Sequence, residues 1–202
     1  SSLILKNMKT VTISSFKSVK DPKSEQVLLH TALLEIKDGK FKSEISNLRK
    51  LYSNNKSEYD ELKEKLPAFT VSGVFDKRRN LDELLIYNSL IVIDIDNLDA
   101  NNLKSSVEKL KHDETLDPLA VFISPSGFGI KVIISLKECT QQIHHKAFQA
   151  LVKYFKDCHS LDVDLKGSDV VRCCFYSYDP EIYINFDCKN FDFLSYSITD
   201  NI

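Results

Sequence analysis

The spacing of hydrophobic residues changes near residue 66 and divides the chain into two parts. From residue 25 to residue 66 the apolar positions recur every three or four residues, which is the spacing of one helix face. A Lys-Asp-Gly segment at 37–39 interrupts this pattern, and Pro67 ends it because the residue before a proline avoids the helical conformation. The pattern predicts three consecutive helices, the last at about 57–65, after an initial strand at 10–16.

After residue 66, short apolar runs alternate with longer amphipathic stretches, so strands and helices are expected to alternate. A mixture of this kind is typical of an α+β or α/β domain. The predicted helices lie at about 100–112 and 141–158, and the predicted strands lie at 68–75, 91–96, 119–124, 130–136 and 170–177.

Asp94 and Asp96 close the apolar run at 91–96. Side chains two residues apart on a strand point to the same face, so these two carboxylates are expected side by side. Carboxylates this close repel each other unless a cation lies between them, and a hard divalent ion such as Mg²⁺ is a usual partner. The alternative is an acidic strand end that enters a solvated turn at 97–99.

The segment Ser-Pro-Ser-Gly-Phe-Gly at 124–129 joins two predicted strands and contains two of the chain's five glycines, Gly127 and Gly129. Glycines let backbone N–H groups approach an anion closely, and Ser124 and Ser126 add hydroxyl donors. Lys131 follows at the start of the next strand, where its ammonium could serve a bound phosphate. The alternative is an ordinary hairpin turn without a ligand.

A third acidic group contains Asp162 and Asp164, and it is followed by Arg172 within an apolar run that predicts a strand. An arginine on a buried strand is costly unless it meets an anion. That anion is either a ligand or a nearby aspartate in a structural salt bridge.

Composition narrows the classes of protein without selecting one. The 202 residues suit a single domain, and a net charge of −2 gives no overall basic field for nucleic acid, so such contacts would have to be local. Lysines on the predicted helices, Lys56 and Lys63 among them, alternate with acidic residues and indicate a solvated face.

Five cysteines without a C-x-x-C pair argue against a disulfide framework and a zinc ribbon. No apolar stretch approaches the roughly 18 residues of a membrane span, so a cytoplasmic protein without membrane contact is expected.

The order of these motifs resembles the catalytic core of the archaeo-eukaryotic primase, or primase-polymerase, superfamily. That core has an acidic strand, then a Ser-Gly-x-Gly-x-His segment, then a hydrophobic-Asp pair. More closely, the segments at 66–75, 93–96, 124–131 and 168–180 resemble the VirE N-terminal domain family, a primase-like domain of bacterial, especially Bacteroidetes, mobile-element proteins. The resemblance extends from about residue 10 to residue 185.

The resemblance implies an α+β fold with a primase-polymerase-like (RRM-like) mixed sheet core and a helical N-terminal portion. One domain would span residues 1–202, with the helical part at about 25–66 and the catalytic-type core at about 67–185. It also implies a nucleotidyltransferase site with two divalent ions, Mg²⁺ or Mn²⁺. The metal-binding and catalytic residues would be Asp94, Asp96 and Asp164, with Asp162 or Asp169 as alternatives to Asp164; the nucleotide-binding residues would be Ser124, Ser126, Gly127, Gly129, Lys131 and Arg172.

The implied activity is synthesis of DNA or RNA primers, or strand extension, in mobile-element replication. The expected partners are a nucleoside triphosphate, single-stranded or primed DNA, and a helicase module. Lys131 departs from the superfamily pattern, which has histidine at this position. Lysine can hold a phosphate as a point charge but cannot replace a neutral imidazole in a catalytic step. The alternative functions are a catalytically degenerate binding module of a larger replication or mobilisation protein, and a structural domain without a ligand.

Overall fold

The computed structural model describes residues 7–197 and confirms the α+β class. The helices are α1 (Leu29–Asp38), α2 (Lys42–Asn54), α3 (Lys56–Lys63), α4 (Ala100–Lys111), α5 (His144–His159) and α6 (Phe193–Ser197). The strands are β1 (Thr12–Phe16), β2 (Ser24–Leu28), β3 (Ala68–Thr70), β4 (Gly73–Phe75), β5 (Leu84–Tyr87), β6 (Leu90–Ile95), β7 (Ala120–Ile123), β8 (Ile130–Ser135), β9 (Cys174–Phe175) and β10 (Tyr183–Ile184).

Two four-stranded antiparallel sheets form the centre of the fold. The first has the order β2-β1-β3-β9, and the second has the order β10-β7-β8-β6. Strand β1 belongs to the first part of the chain and pairs with β3 of the second part, so both parts build the same sheet. Strands β4 and β5 form a separate antiparallel pair.

Strand β6 shows how the sequence pattern divides the core. Its alternate residues Ile91, Ile93 and Ile95 pack in one cluster with α5, whereas Leu90 and Val92 pack in a second cluster with α1 and the first sheet. This is the period-two alternation of a strand that is buried on both faces. Asp94 shares a face with Val92, so its carboxylate points toward the first sheet and not toward α5.

Several elements differ from the sequence predictions. Val27 and Leu28 were expected on a helix, but they lie on β2, where Val27 pairs with Ile13 of β1. The strand expected at 68–75 is two short strands separated by a turn, and the strand expected at 170–177 is only Cys174–Phe175. Short apolar runs fit a helix or a strand equally well until their pairing partners are known.

Two predicted site residues are affected by these differences. Arg172 was expected on a buried strand but lies in the irregular segment before β9. Asp164 also lies outside any strand, and its side chain caps the 3₁₀ turn Leu165–Gly167. In the part of the chain that the structure describes, no helix combines the length and apolar character needed to cross a membrane. The predicted domain limits, residues 1–202, extend beyond the described residues at both ends.

Candidate nucleotide-binding cleft

A cleft of about 410 Å³ lies where the ends of β6 and β8 meet helices α2 and α3. It brings together residues that are far apart in the chain, such as Asp94 and Arg172, which are separated by 78 positions. The predicted site residues that line it are Asp94, Asp96, Ser124, Ser126, Lys131, Asp164 and Arg172. Gly127 and Gly129 belong to the turn beside the cleft and do not line it.

Lys131 and Asp94 form the buried centre of this cleft. They are directly opposite each other on the antiparallel strands β8 and β6, and the Lys131 Nζ lies 2.7 Å from the Asp94 Oδ1. Their side chains are only 9% and 7% exposed. Opposite charges on facing strand positions attract, and in a buried position each charge depends on the other for compensation.

Arg172 connects Asp94 to Asp164. Its Nη2 lies 3.3 Å from the Asp94 Oδ2 and 3.4 Å from the Asp164 Oδ2. The Asp164 backbone N–H donates to the Asp94 carbonyl oxygen at 2.8 Å, which holds the irregular segment against β6. Within residues 7–197, the buried Nε of Arg172 has no hydrogen-bond partner. Both oxygens of Asp94 are therefore held by cationic side chains of the chain itself.

The charges in the cleft shift one another's pKa values. Burial alone would raise the pKa of Asp94, but Lys131 and Arg172 outweigh burial and hold that pKa below its ordinary value. Burial would lower the pKa of Lys131, yet the adjacent Asp94 carboxylate raises it. The pair is therefore fully ionised at neutral pH.

Asp96 differs from Asp94 although only one residue separates them. It lies just beyond the end of β6 and is exposed. Partial burial of its carboxylate, together with the charges of Asp94 and Asp164, raises the pKa of Asp96. Asp96 is thus an incompletely compensated negative charge on the wall of the cleft.

The glycine turn is packed tightly against its neighbours. Gly127 has a φ of +81°, and a Cβ there would lie 3.3 Å from the side chain of Arg49 on α2. The Arg49 guanidinium donates from Nη2 to the Ser124 carbonyl oxygen at 3.2 Å. At Gly129, a Cβ would lie 2.8 Å from the carbonyl oxygen of Ile95. The left-handed backbone conformation therefore accounts for Gly127, and close packing accounts for Gly129.

The turn also uses several of its own donors. The Gly127 N–H donates to the Ser124 carbonyl oxygen at 3.0 Å, and the Phe128 N–H donates to the Ser126 Oγ at 3.1 Å. The hydroxyl groups of Ser124 and Ser126 are 3.1 Å apart and line the cleft. These hydroxyls, and not the backbone of Gly127, are the groups that the turn offers to a ligand.

Helices α2 and α3 contribute residues that sequence reasoning missed. The Lys56 Nζ lies 4.4 Å from the ring centroid of Tyr59 and 5.2 Å from that of Tyr52. The Lys63 Nζ lies 5.3 Å from the ring centroid of Phe175. Burial and the charge of Lys131 lower the pKa of Lys63. Both lysines line the cleft together with Tyr52 and Tyr59, and the Lys56 side chain is also 58% exposed and pairs with Asp60, as the prediction of a solvated face implies.

A signal for this face was present in the sequence. Tyr52, Lys56, Tyr59 and Lys63 recur at intervals of four, three and four residues, which is the spacing of one helix face. The break at Asn55 between α2 and α3 leaves these side chains on the same side of the molecule. Tyr59 is buried in the core beneath Lys56, so this face presents Tyr52, Lys56 and Lys63 to the cleft.

The donor set does not fit a pair of divalent ions as it stands. Among residues 7–197, no group of three or more His, Cys, Asp or Glu side chains is arranged to hold a metal ion. An ion bound to Asp94 would have to share the carboxylate with Lys131 and Arg172, whose positive charges repel it, or displace one of them. Binding of Mg²⁺ or Mn²⁺ by Asp94, Asp96 and Asp164 stays a prediction.

The alternative third carboxylates lie elsewhere. Asp162 pairs with Lys156 at 2.9 Å, and its side chain is 85% exposed. Neither Asp162 nor Asp169 lines the cleft.

Fold and cleft together define an α+β domain with a mixed-charge cleft between a β-sheet and two helices. A family model described as "BT4734-like, N-terminal domain" matches residues 61–184, and the chain belongs to this family. The matched segment includes Asp94, Lys131 and Arg172 but begins after Tyr52 and Lys56. Searches of the curated proteins and of the solved structures found no match.

Proposed function

We propose that this domain is a nucleotide- and single-stranded-nucleic-acid-binding module related to the VirE N-terminal domains and the primase-polymerase superfamily. It holds the phosphates of a nucleoside triphosphate in the cleft and serves a larger replication or mobilisation protein, beside a partner such as a helicase module. The observation that carries the proposal is the buried Lys131 ammonium at the centre of a cleft with more cationic than anionic side chains.

The balance of charges favours an anionic ligand. The cationic side chains that line the cleft are Lys56, Lys63, Arg79, Lys131 and Arg172, and the anionic ones are Asp94, Asp96 and Asp164. The chain as a whole has a net charge of −2, so this local excess of positive charge runs against the overall composition. An excess of one sign of charge in a cleft attracts ligands of the opposite sign.

Aromatic residues beside the cleft suit a nucleobase. Tyr52 lines the cleft, and its ring stacks on that of Phe128 with centroids 5.3 Å apart and an interplanar angle of 25°. Its hydroxyl group donates to the Asn97 Oδ1 at 3.3 Å, which fixes the orientation of the ring. Base stacking on an aromatic side chain contributes about 1–3 kcal/mol and tolerates any base. Phosphate and base can therefore be held in the same cleft.

Calorimetric titration with dATP, and separately with deoxyadenosine, tests this proposal. We expect dATP to bind at least about tenfold more tightly than deoxyadenosine, because charge-assisted hydrogen bonds to the phosphates add about 1.5–3 kcal/mol. The affinity for dATP should fall as salt concentration rises. Equal affinities for the two compounds, or no binding of dATP at millimolar concentration, would contradict the proposal.

Nucleotidyl transfer is the second candidate, and one observation favours it. Asp94, Asp96 and Asp164 come from separate positions in the chain and line the same cleft. With a primed template, dNTPs and Mn²⁺, we expect no primer extension, because Lys131 and Arg172 hold the carboxylate of Asp94. Extension by the wild-type protein that is lost in Asp96→Asn would establish the enzyme instead.

A further inference from the structure

We propose that the Lys131 ammonium takes the place of a metal ion in this cleft, so that phosphate binds there without a divalent cation. This inference rests on the proposed function and concerns the chemistry of the same site. Three features of the structure carry it: the register that places Lys131, the occupied oxygens of Asp94, and the position of Asp96.

The first feature is that the backbone fixes the position of Lys131. Strand β8 lies between β6 and β7, and Lys131 faces Asp94 on one neighbour and Phe122 on the other. A residue in the middle strand of a sheet cannot move away from its partner without breaking the register on both sides. The register therefore keeps the Lys131 side chain on the same face as Asp94, and the 2.7 Å contact places its ammonium beside that carboxylate.

The second feature is that both oxygens of Asp94 already accept from cationic side chains, whose charges repel a metal ion. Its Oδ1 accepts from Lys131 at 2.7 Å, and its Oδ2 accepts from Arg172 at 3.3 Å. Displacing Lys131 would leave a buried ammonium without its partner, which is strongly unfavourable. By contrast, an ammonium group has three N–H donors, and within residues 7–197 the structure gives the Lys131 Nζ a single acceptor. Donors remain for a phosphate oxygen in the cleft.

The third feature is the role that remains for Asp96. In a metal-dependent site this carboxylate would be a ligand, and its removal would weaken nucleotide binding. In a site where Lys131 and Arg172 supply the positive charge, Asp96 only repels the phosphates. The two mechanisms therefore predict opposite effects of the same substitution, and Asp96 is suitable for it because the residue is exposed at the end of β6.

The test measures dATP affinity of the wild-type chain and of Asp96→Asn, each in EDTA and in excess Mg²⁺. We expect EDTA to change the wild-type affinity by less than about twofold, and Asp96→Asn to bind about three- to tenfold more tightly in both buffers, as removal of one nearby repulsive charge implies. The matched control is Glu108→Gln, which removes an exposed carboxylate of α4 outside the cleft. Its affinity should equal that of the wild type.

Each other outcome overturns the inference in a distinguishable way. Binding that disappears in EDTA, or that Asp96→Asn abolishes, would show a metal-dependent site while leaving the proposed function intact. No binding of dATP in either buffer would contradict the proposed function and this inference together. A titration with Mn²⁺ alone gives an independent measurement: saturable binding to the wild type that Asp96→Asn removes would also overturn the inference.

Discussion

Replacement of Asp94 by asparagine is expected to lower the free energy of unfolding by about 3–5 kcal/mol, because it leaves the buried Lys131 ammonium without its compensating charge. The 2.7 Å contact and the low exposure of both side chains make this the strongest ion pair of the cleft. A structural domain with two repelling aspartates would respond in the opposite direction, with a gain in stability. The sign of the change therefore distinguishes the two interpretations of Asp94.

Urea denaturation at pH 7 measures this change, with Asp162→Asn as the control. Asp162 also pairs with a lysine, at 2.9 Å, but both side chains are exposed. Its substitution should therefore lower the free energy of unfolding by less than about 1 kcal/mol. The double variant Asp94→Asn/Lys131→Met removes both buried charges at similar volume and should recover most of the lost stability. An Asp94→Asn variant at least as stable as the wild type would show that Lys131 does not depend on Asp94.

The same pair predicts a dependence on pH. Because the folded state holds the pKa of Asp94 below its ordinary value of 3.8, ionisation of this group favours folding. The contribution is fully present above the unfolded-state pKa and is lost as the pH falls through the lower folded-state pKa. The difference in stability between the wild type and Asp94→Asn should therefore be constant near neutral pH and shrink below about pH 4.

Local patterns in the sequence predicted much of the fold. The apolar runs around Asp94 and Lys131 correspond to β6 and β8, and the amphipathic stretch at 100–112 corresponds to α4. In these elements the apolar residues recur at helix or strand spacing over several residues, so each element could be predicted without knowledge of its neighbours. The short strands β2 and β9 were missed or misplaced, because a pair of residues such as Cys174–Phe175 forms a strand only through its neighbours in the sheet.

The sequence predicted which residues belong to the candidate site. It did not predict which of these residues contact each other. Asp94 was predicted as a metal ligand and Lys131 as a phosphate contact, and their contact with each other through the register of β6 and β8 was not predicted. Helix α4 and strand β7 separate these strands in the chain, so no local signal specifies their register. Arg172 was expected to meet an anion or an aspartate, and the structure shows it in contact with Asp94 and Asp164.

Loss of the Lys131 ammonium is expected to have the largest effect on ligand binding. In the Asp94→Asn/Lys131→Met variant, a phosphate loses a charge-assisted hydrogen bond worth about 1.5–3 kcal/mol, which corresponds to a dATP affinity about 10- to 100-fold weaker. The double variant is preferable to Lys131→Met alone, which would leave the buried Asp94 carboxylate with Arg172 as its one cationic partner within residues 7–197 and with less compensation for its charge. Circular dichroism and urea denaturation establish that it is folded before calorimetry measures the affinity.

A charge-matched control is available in the exposed pair Lys156 and Asp162, which lies outside the cleft. Asp162→Asn/Lys156→Met makes the same two chemical changes there, and its dATP affinity should stay within about twofold of the wild type, since exposed charges at a distance are screened. If the buried double variant bound dATP as tightly as this control, Lys131 would not contact the phosphates, and the cleft would hold the nucleotide through its other cationic side chains, Lys56, Lys63, Arg79 and Arg172. A deficit confined to the buried pair would instead identify the ammonium opposite Asp94 as a contact of the phosphates.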